Sequence, residues 1–145
     1  MLARVKENAM KRATFALLTL LLAGCTAHGR IGALPEIVQP ADAAEIVVIR
    51  EWRFMAAART LSVTVDGAAV YGMETNEHVI IRVAPGYHVV GIGAPGLNEG
   101  TAGVQAVPQQ RYYFRAESGF FGPLLQPIGA EAGQALMAKT SPIAR

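Results

Sequence analysis

Residues 61–73 read LSVTVDGAAVYGM, and this stretch decides the fold. Leu61, Val63 and Val65 alternate with Ser62, Thr64 and Asp66. That period-two pattern belongs to a strand with one face in a core and one in water. Asp66-Gly67 is the dipeptide a two-residue hairpin prefers, because both central residues of such a turn need positive φ. Ala68 to Met73 is then the return strand. Further along, Val79, Ile81 and Val83 alternate with Ile80 and Arg82. Pro85-Gly86 turns the chain, with proline presetting φ and glycine free to go positive. Tyr87 to Ile92 comes back. A hairpin closed there would set Val83 near His88 and His78 near Gly93.

Thr101 to Val107 is a weaker strand, and Pro108-Gln109-Gln110 a turn. Arg111 to Glu117 places Tyr112 and Phe114 on one face and Tyr113 and Arg115 on the other. Leu124 to Ile128 is a last strand. Ala130 to Lys139 has helical composition, with Glu131 in its first turn as the helix dipole prefers. Upstream, Glu45 to Arg50 (EIVVIR) is a β-branched run without polar alternation, as expected of a central strand covered on both faces. Short strands with turn signals every few residues predict an all-β fold, an antiparallel sandwich of about seven strands, with a short C-terminal helix.

The chain has 145 residues, 52% of them hydrophobic and 17% charged, which excludes a disordered chain. One cysteine excludes a disulfide framework and a cysteine zinc cluster. Arg4, Lys6, Lys11 and Arg12 precede Ala13–Leu22, an apolar run too short to span a bilayer but right for a signal segment. Without residues 1–24, nine basic and ten acidic residues remain, a net charge of −1. Such a domain has no basic stripe for nucleic acid.

Leu22-Ala23-Gly24-Cys25 resembles the lipobox of bacterial lipoproteins. The resemblance implies signal-peptidase recognition at Leu22, Ala23 and Gly24 and removal of residues 1–24. It further implies a diacylglycerol on Cys25 and a fatty acyl chain such as palmitate on the new amino terminus. Three chains anchor a protein stably, at about 0.8 kcal/mol per buried methylene. Thr26, where enteric lipoproteins retained at the inner membrane have aspartate, implies the periplasmic face of the outer membrane. Residues 25–43 carry the lipidated cysteine and then an unpatterned stretch broken by Gly29, Gly32, Pro35 and Pro40. A flexible tether of that length reaches roughly 20–25 Å. The expected organisation is therefore a signal peptide (1–24), a tether (25–43), a sandwich (44–140) and a tail (141–145).

The run from Val63 through Asp66-Gly67 to Val79-Ile80-Ile81-Arg82-Val83-Ala84-Pro85-Gly86-Tyr87-His88 resembles bacterial surface domains of the PEGA type. Over residues 44–139 the chain is most similar to a bacterial lipoprotein family catalogued as a domain of unknown function (number 2846). Val48-Ile49-Arg50 and Arg111-Tyr112-Tyr113-Phe114 join the turns in that likeness, with Ile49 where the family pattern has an aromatic. The resemblance implies an Ig-like or prealbumin-like sandwich on a lipid anchor and brings no catalytic residues. Asp66, Gly67, Pro85 and Gly86 read as structural turns.

Chemistry-bearing residues are sparse. Glu74, Glu77 and His78 could offer metal ligands from one loop, but a site needs three or four convergent groups and the spacing matches no pattern. Ser62, Ser118 and Ser141 lack a nucleophile elbow. Glu99 and Glu117 are the best loop carboxylates, and nothing in the sequence brings them together as glycoside hydrolysis requires. Trp52, Tyr113, Phe120 and Phe121 form the candidate binding surface. Phe120-Phe121, bracketed by Gly119, Gly122 and Pro123, either plugs the end of the sandwich or presents an exposed anchor. The expectation is a lipid-anchored, non-enzymatic structural or interaction module, without cofactor or metal, whose partners are the membrane and an envelope protein or glycan. A small glycan- or peptide-binding module is the alternative, and a hydrolase the less favoured one.

Overall fold

A strand apolar on both faces must be covered twice, and the architecture does this for Ala44–Arg50. The computed structural model describes residues 28–52, 59–119 and 121–143. In chain order the strands are β1 (Gly29–Arg30), β2 (Ala44–Arg50), β3 (Leu61–Val65), β4 (Ala68–Met73), β5 (Glu77–Val83), β6 (Gly86–Gly93), β7 (Gly100–Ala106), β8 (Arg111–Ser118), β9 (Pro123–Ile128) and β10 (Ser141–Pro142). One helix, α1 (Ala130–Met137), follows β9. The strands form two five-stranded sheets, ordered β1-β4-β3-β6-β7 and β10-β5-β2-β8-β9. The protein is an all-β sandwich. The long strands β2 to β9 do not follow the strand order of an Ig domain.

Between the sheets, β2 contributes Ala44, Ile46 and Val48 to a core shared with Val63, Val65, Met73, Ile81, Val90, Ile92 and Phe114. On its outer face, Val47 and Ile49 join Tyr113 in a second cluster closed by Ile128, Leu136 and Met137. Helix α1 is therefore the second cover. Its glycine has a packing reason. A Cβ on Gly133 would lie 2.2 Å from Cγ of Tyr113 and 2.7 Å from its Cβ. The helix approaches β8 to a distance only glycine permits.

The Asp66-Gly67 turn closes the β3–β4 hairpin, with φ of 52° and 80° at its two central residues. A bulge at Val70 shifts the register beyond Val63. Pro85-Gly86 differs from expectation. It carries the chain from one sheet to the other and closes no hairpin, because β5 is already flanked by β2 and β10, and β6 by β3 and β7. Two pairings are also parallel, β2 with β8 and β10 with β5. A parallel pair needs a long crossover. The segment from β3 to β7, which passes through both sheets, supplies it for β2 and β8.

The expected tether and tail are both laid on the sandwich. Gly29 and Arg30 pair with Gly72 and Tyr71, and the N–H groups of Ile31 and Gly32 both reach the Val70 carbonyl. The chain then runs to the far end of the domain. There Pro40–Asp42 forms one 3-10 turn, and Arg82 donates to the Pro40 carbonyl at 2.5 Å. Residues 28–43 thus strap the domain lengthwise, and a Cβ on Gly32 would lie 2.0 Å from the Ala69 carbonyl oxygen, so only glycine fits there. At the other terminus, Ser141 and Ile143 donate to the carbonyls of Asn76 and His78, and Ile143 is buried.

Gly133→Ala is the sharpest test of this packing. In an exposed helix that change gains about 1 kcal/mol. Here we expect a loss of about 1–3 kcal/mol from overpacking against Tyr113, read as a lower urea midpoint with an unchanged slope. A gain in stability would mean that α1 is not seated on β8.

Candidate functional site

The connections divide the sandwich into two ends. At the hairpin end lie the Asp66-Gly67 turn, the Ala84-Pro85 crossover and residues 107–110. At the other, the entry end, the chain joins the domain through His28. That end also holds residues 51–52 and 59–60, the turns 74–76 and 94–99, and residues 119 and 121–122.

The hairpin end carries a polar assembly around His88. His88 Nδ1 lies 2.7 Å from Asp66 Oδ2, and its Nε2 lies 2.8 Å from the Ala84 carbonyl. Both partners are acceptors, so both ring nitrogens donate only when the ring is protonated. The second Asp66 oxygen accepts the Val89 N–H at 2.9 Å. Partial burial of the ring opposes the charge, but the Asp66 and Ala84 hydrogen bonds and the Asp66 charge outweigh it and raise the His88 pKa. Burial likewise opposes the Asp66 charge, and the His88 and Val89 bonds with the His88 charge lower the Asp66 pKa overall. The Asp-Gly and Pro-Gly-x-His motifs are thus two halves of one clamp, which joins the hairpin turn to the crossover. Among the described residues, the partners of the two imidazole nitrogens are a carboxylate and a backbone carbonyl.

The entry end is richer. Arg50, only 4% exposed, ends β2 and donates to the carbonyls of Arg59 at 2.6 Å and Met73 at 2.9 Å. Burial lowers its pKa, while Glu77 and Glu74 push it back up. Glu77 stands opposite Arg50 in the β2–β5 register. One of its carboxylate oxygens lies 2.8 Å from His28 Nε2, and the other accepts the Glu74 N–H at 2.6 Å. His28, Glu74 and Glu77 offer three ligand atoms within 4.8 Å of one another. Both Glu77 oxygens already have partners and Arg50 supplies positive charge nearby, so the group reads as an ion cluster. The sequence pointed to His78 in this role, but His78 faces the other way. Its Nδ1 lies 2.9 Å from the Thr140 hydroxyl, and burial holds its pKa below the usual value against that bond.

Beside this cluster, Arg115 Nε lies 3.1 Å from Glu51 Oε2, near enough for an ion pair but not aligned as a hydrogen bond. Arg115 also pairs with Glu117. Glu99 accepts the Thr64 hydroxyl at 2.5 Å and folds over Gly91, on the outer face of its sheet. Glu99 and Glu117 are therefore each engaged by a different partner. The turns 94–99 and 119–122 enclose a shallow groove of about 270 Å³, lined by Asn98, Glu99, Phe121, Pro123 and Leu124 among others.

The structure separates the four expected aromatics. Tyr113 is 5% exposed under α1 and cannot stack a ligand, which corrects its place in the binding surface. Its partner there is the helix, whose covering role single-residue patterns do not reveal. Trp52 and Phe121 are 59% and 80% exposed, both at the entry end. Phe120 lies outside the described residues, as do Leu22, Ala23, Gly24 and Cys25. The sequence reading missed His28 and buried Arg50. The only local signal for Arg50 was a charge closing an otherwise apolar strand.

The histidines predict a two-sided pH profile. The stabilisation from His88 is complete below about pH 6.5 and is lost as pH rises through its raised value. That from neutral, buried His78 is complete above about pH 6.5 and is lost as pH falls through its lowered value. Stability to urea should therefore be greatest near neutral to slightly acid pH. Asp66→Asn should flatten the alkaline decline, and His78→Gln should soften the first part of the acid one. An alkaline decline that survives Asp66→Asn would assign it to another group. Comparisons with protein-family models, with curated proteins and with solved structures found no match for the chain.

Proposed function

We propose that this chain is a lipid-anchored bacterial envelope protein whose sandwich is a non-enzymatic structural or interaction module. The observation that carries the reading is Leu22-Ala23-Gly24-Cys25, placed directly after a basic segment and a ten-residue apolar run. Cys25 is the only cysteine, and the acyl chains would be attached there. Among the described residues no helix is long and apolar enough to cross a membrane, so the lipid would hold the domain at the surface. Thr26 favours the periplasmic face of the outer membrane. The polar groups of both ends are committed to one another, as Asp66 is to His88 and Glu77 to His28, which suits a scaffold better than a reaction centre.

A second reading rests on a specific observation. Trp52 and Phe121 expose large rings at one end of the molecule, beside a groove with a carboxylate at its rim. Rings of this kind stack on sugars or anchor peptides. A glycan- or peptide-binding module would use these two residues without Tyr113.

Crosslinking in intact cells separates the two. With tagged protein at native level beside a Cys25→Ala control, a specific envelope protein should be recovered with the anchored form alone. The control should also lose its membrane fractionation. Recovery of peptidoglycan or lipopolysaccharide fragments, reduced by Trp52→Ala, would favour the binding module. Membrane fractionation unchanged by Cys25→Ala would remove the anchor from the account.

A further inference from the structure

Resting on the lipid-anchor reading, we infer that the sandwich sits end-on against the bilayer, with Trp52, Phe121 and Leu97 at the lipid headgroups.

The inference comes from where the chain is first fixed. The hydrogen bond from His28 to Glu77 and the β1–β4 pairing hold residues 28–30 on the domain. Only Thr26 and Ala27 separate His28 from Cys25. Three residues at full extension span about 11 Å. An unattached stretch of residues 26–43 would have let the domain drift and turn. Instead, the segment from His28 on is folded back along the domain, and the connection left exceeds the headgroup region, roughly 5–8 Å thick in each leaflet, by only a few ångströms. The anchored cysteine therefore lies near the entry end, and that end must face the membrane.

The side chains at this end fit that position. Trp52 continues β2 beyond Arg50, and β8 runs parallel to β2 toward the turn that carries Phe121. Leu97, 41% exposed, tips the turn between β6 and β7 in the facing sheet. Three exposed apolar side chains from both sheets thus share the end where the chain emerges. Tryptophan favours the membrane interface, where its ring meets apolar chains and its N–H meets water. Polar and ionised groups lie at the same end, His28, Glu74, Glu77, Glu51 and Arg115 among them, as an interfacial rather than a buried position requires. At the hairpin end, the aromatic Tyr87 lies along the sheet with its ring against Gly103. The occupant of the apolar tip is thus the bilayer surface to which the chain is already joined.

The test uses the sole tryptophan of the chain. Full-length processed protein is reconstituted in phosphatidylethanolamine–phosphatidylglycerol vesicles, with and without phospholipid brominated near the headgroup. The expected result is quenching of Trp52 by the brominated lipid, a blue-shifted emission and protection from aqueous iodide. Phe121→Ser and Leu97→Ser should each weaken all three signals. A ten-residue Gly-Ser insertion between Thr26 and Ala27 should abolish them while the protein still sediments with vesicles. Trp52 that stays open to iodide in protein that does sediment, with a Cys25 thiol inert to maleimide, overturns the end-on seating and leaves the anchor standing. A reactive Cys25 thiol in protein that does not sediment overturns both. Shielding of Trp52 that appears only when an envelope protein is added also overturns it, and assigns the tip to that protein.

Discussion

One strand without a polar face sets the terms for the rest of this molecule. In β2, every side chain except that of Glu45 is buried. Burying one valine or isoleucine is worth roughly 1.5–3 kcal/mol, and exposing a face of such residues would cost as much. The facing sheet covers Ala44, Ile46 and Val48, and α1 covers Val47 and Ile49. Because both edges of β2 are also paired, β5 and β8 are fixed relative to it. The close approach of Gly133 to Tyr113 and the run of the C-terminal segment along β5 follow from the same requirement. A strand this apolar would be an aggregation hazard at an open edge, and the arrangement leaves it no edge.

How much could be read in advance depended on the range of each interaction. The β3–β4 hairpin was legible because alternation and the Asp-Gly turn are local signals. The double covering of β2 was legible because it requires only the absence of polar residues, and α1 could be located from composition. Pro85-Gly86 was ambiguous, since the same dipeptide reverses a chain within a sheet or carries it across to another. What decided it was the occupancy of the edges of β5 and β6, which no local pattern records. The lengthwise strap of residues 28–43 was hidden for a related reason. Its glycines read as flexibility, whereas in the fold they allow the backbone to lie against Tyr71 and Val70.

The site followed the same rule. Asp66 and His88 were legible as turn residues but not as partners, being 22 residues apart, and the His28–Glu77 contact spans 49. These contacts change what the motifs mean. The Asp-Gly and Pro-Gly-x-His signatures hold the hairpin turn to the crossover through a histidine that bonds to both. Their physical role is to specify the fold, which is why a likeness built on them says little about activity. The exposed chemistry lies at the opposite end, where the chain enters, and there the apolar rings stand among paired charges.

The account depends most directly on what Cys25 carries. Intact-mass and N-terminal peptide analysis of the protein purified from membranes of its own cells decides it. We expect a mature chain that begins at Cys25 and bears a diacylglycerol and an amide-linked acyl chain. A mature chain beginning elsewhere, or a Cys25 with a free thiol, would contradict the central claim.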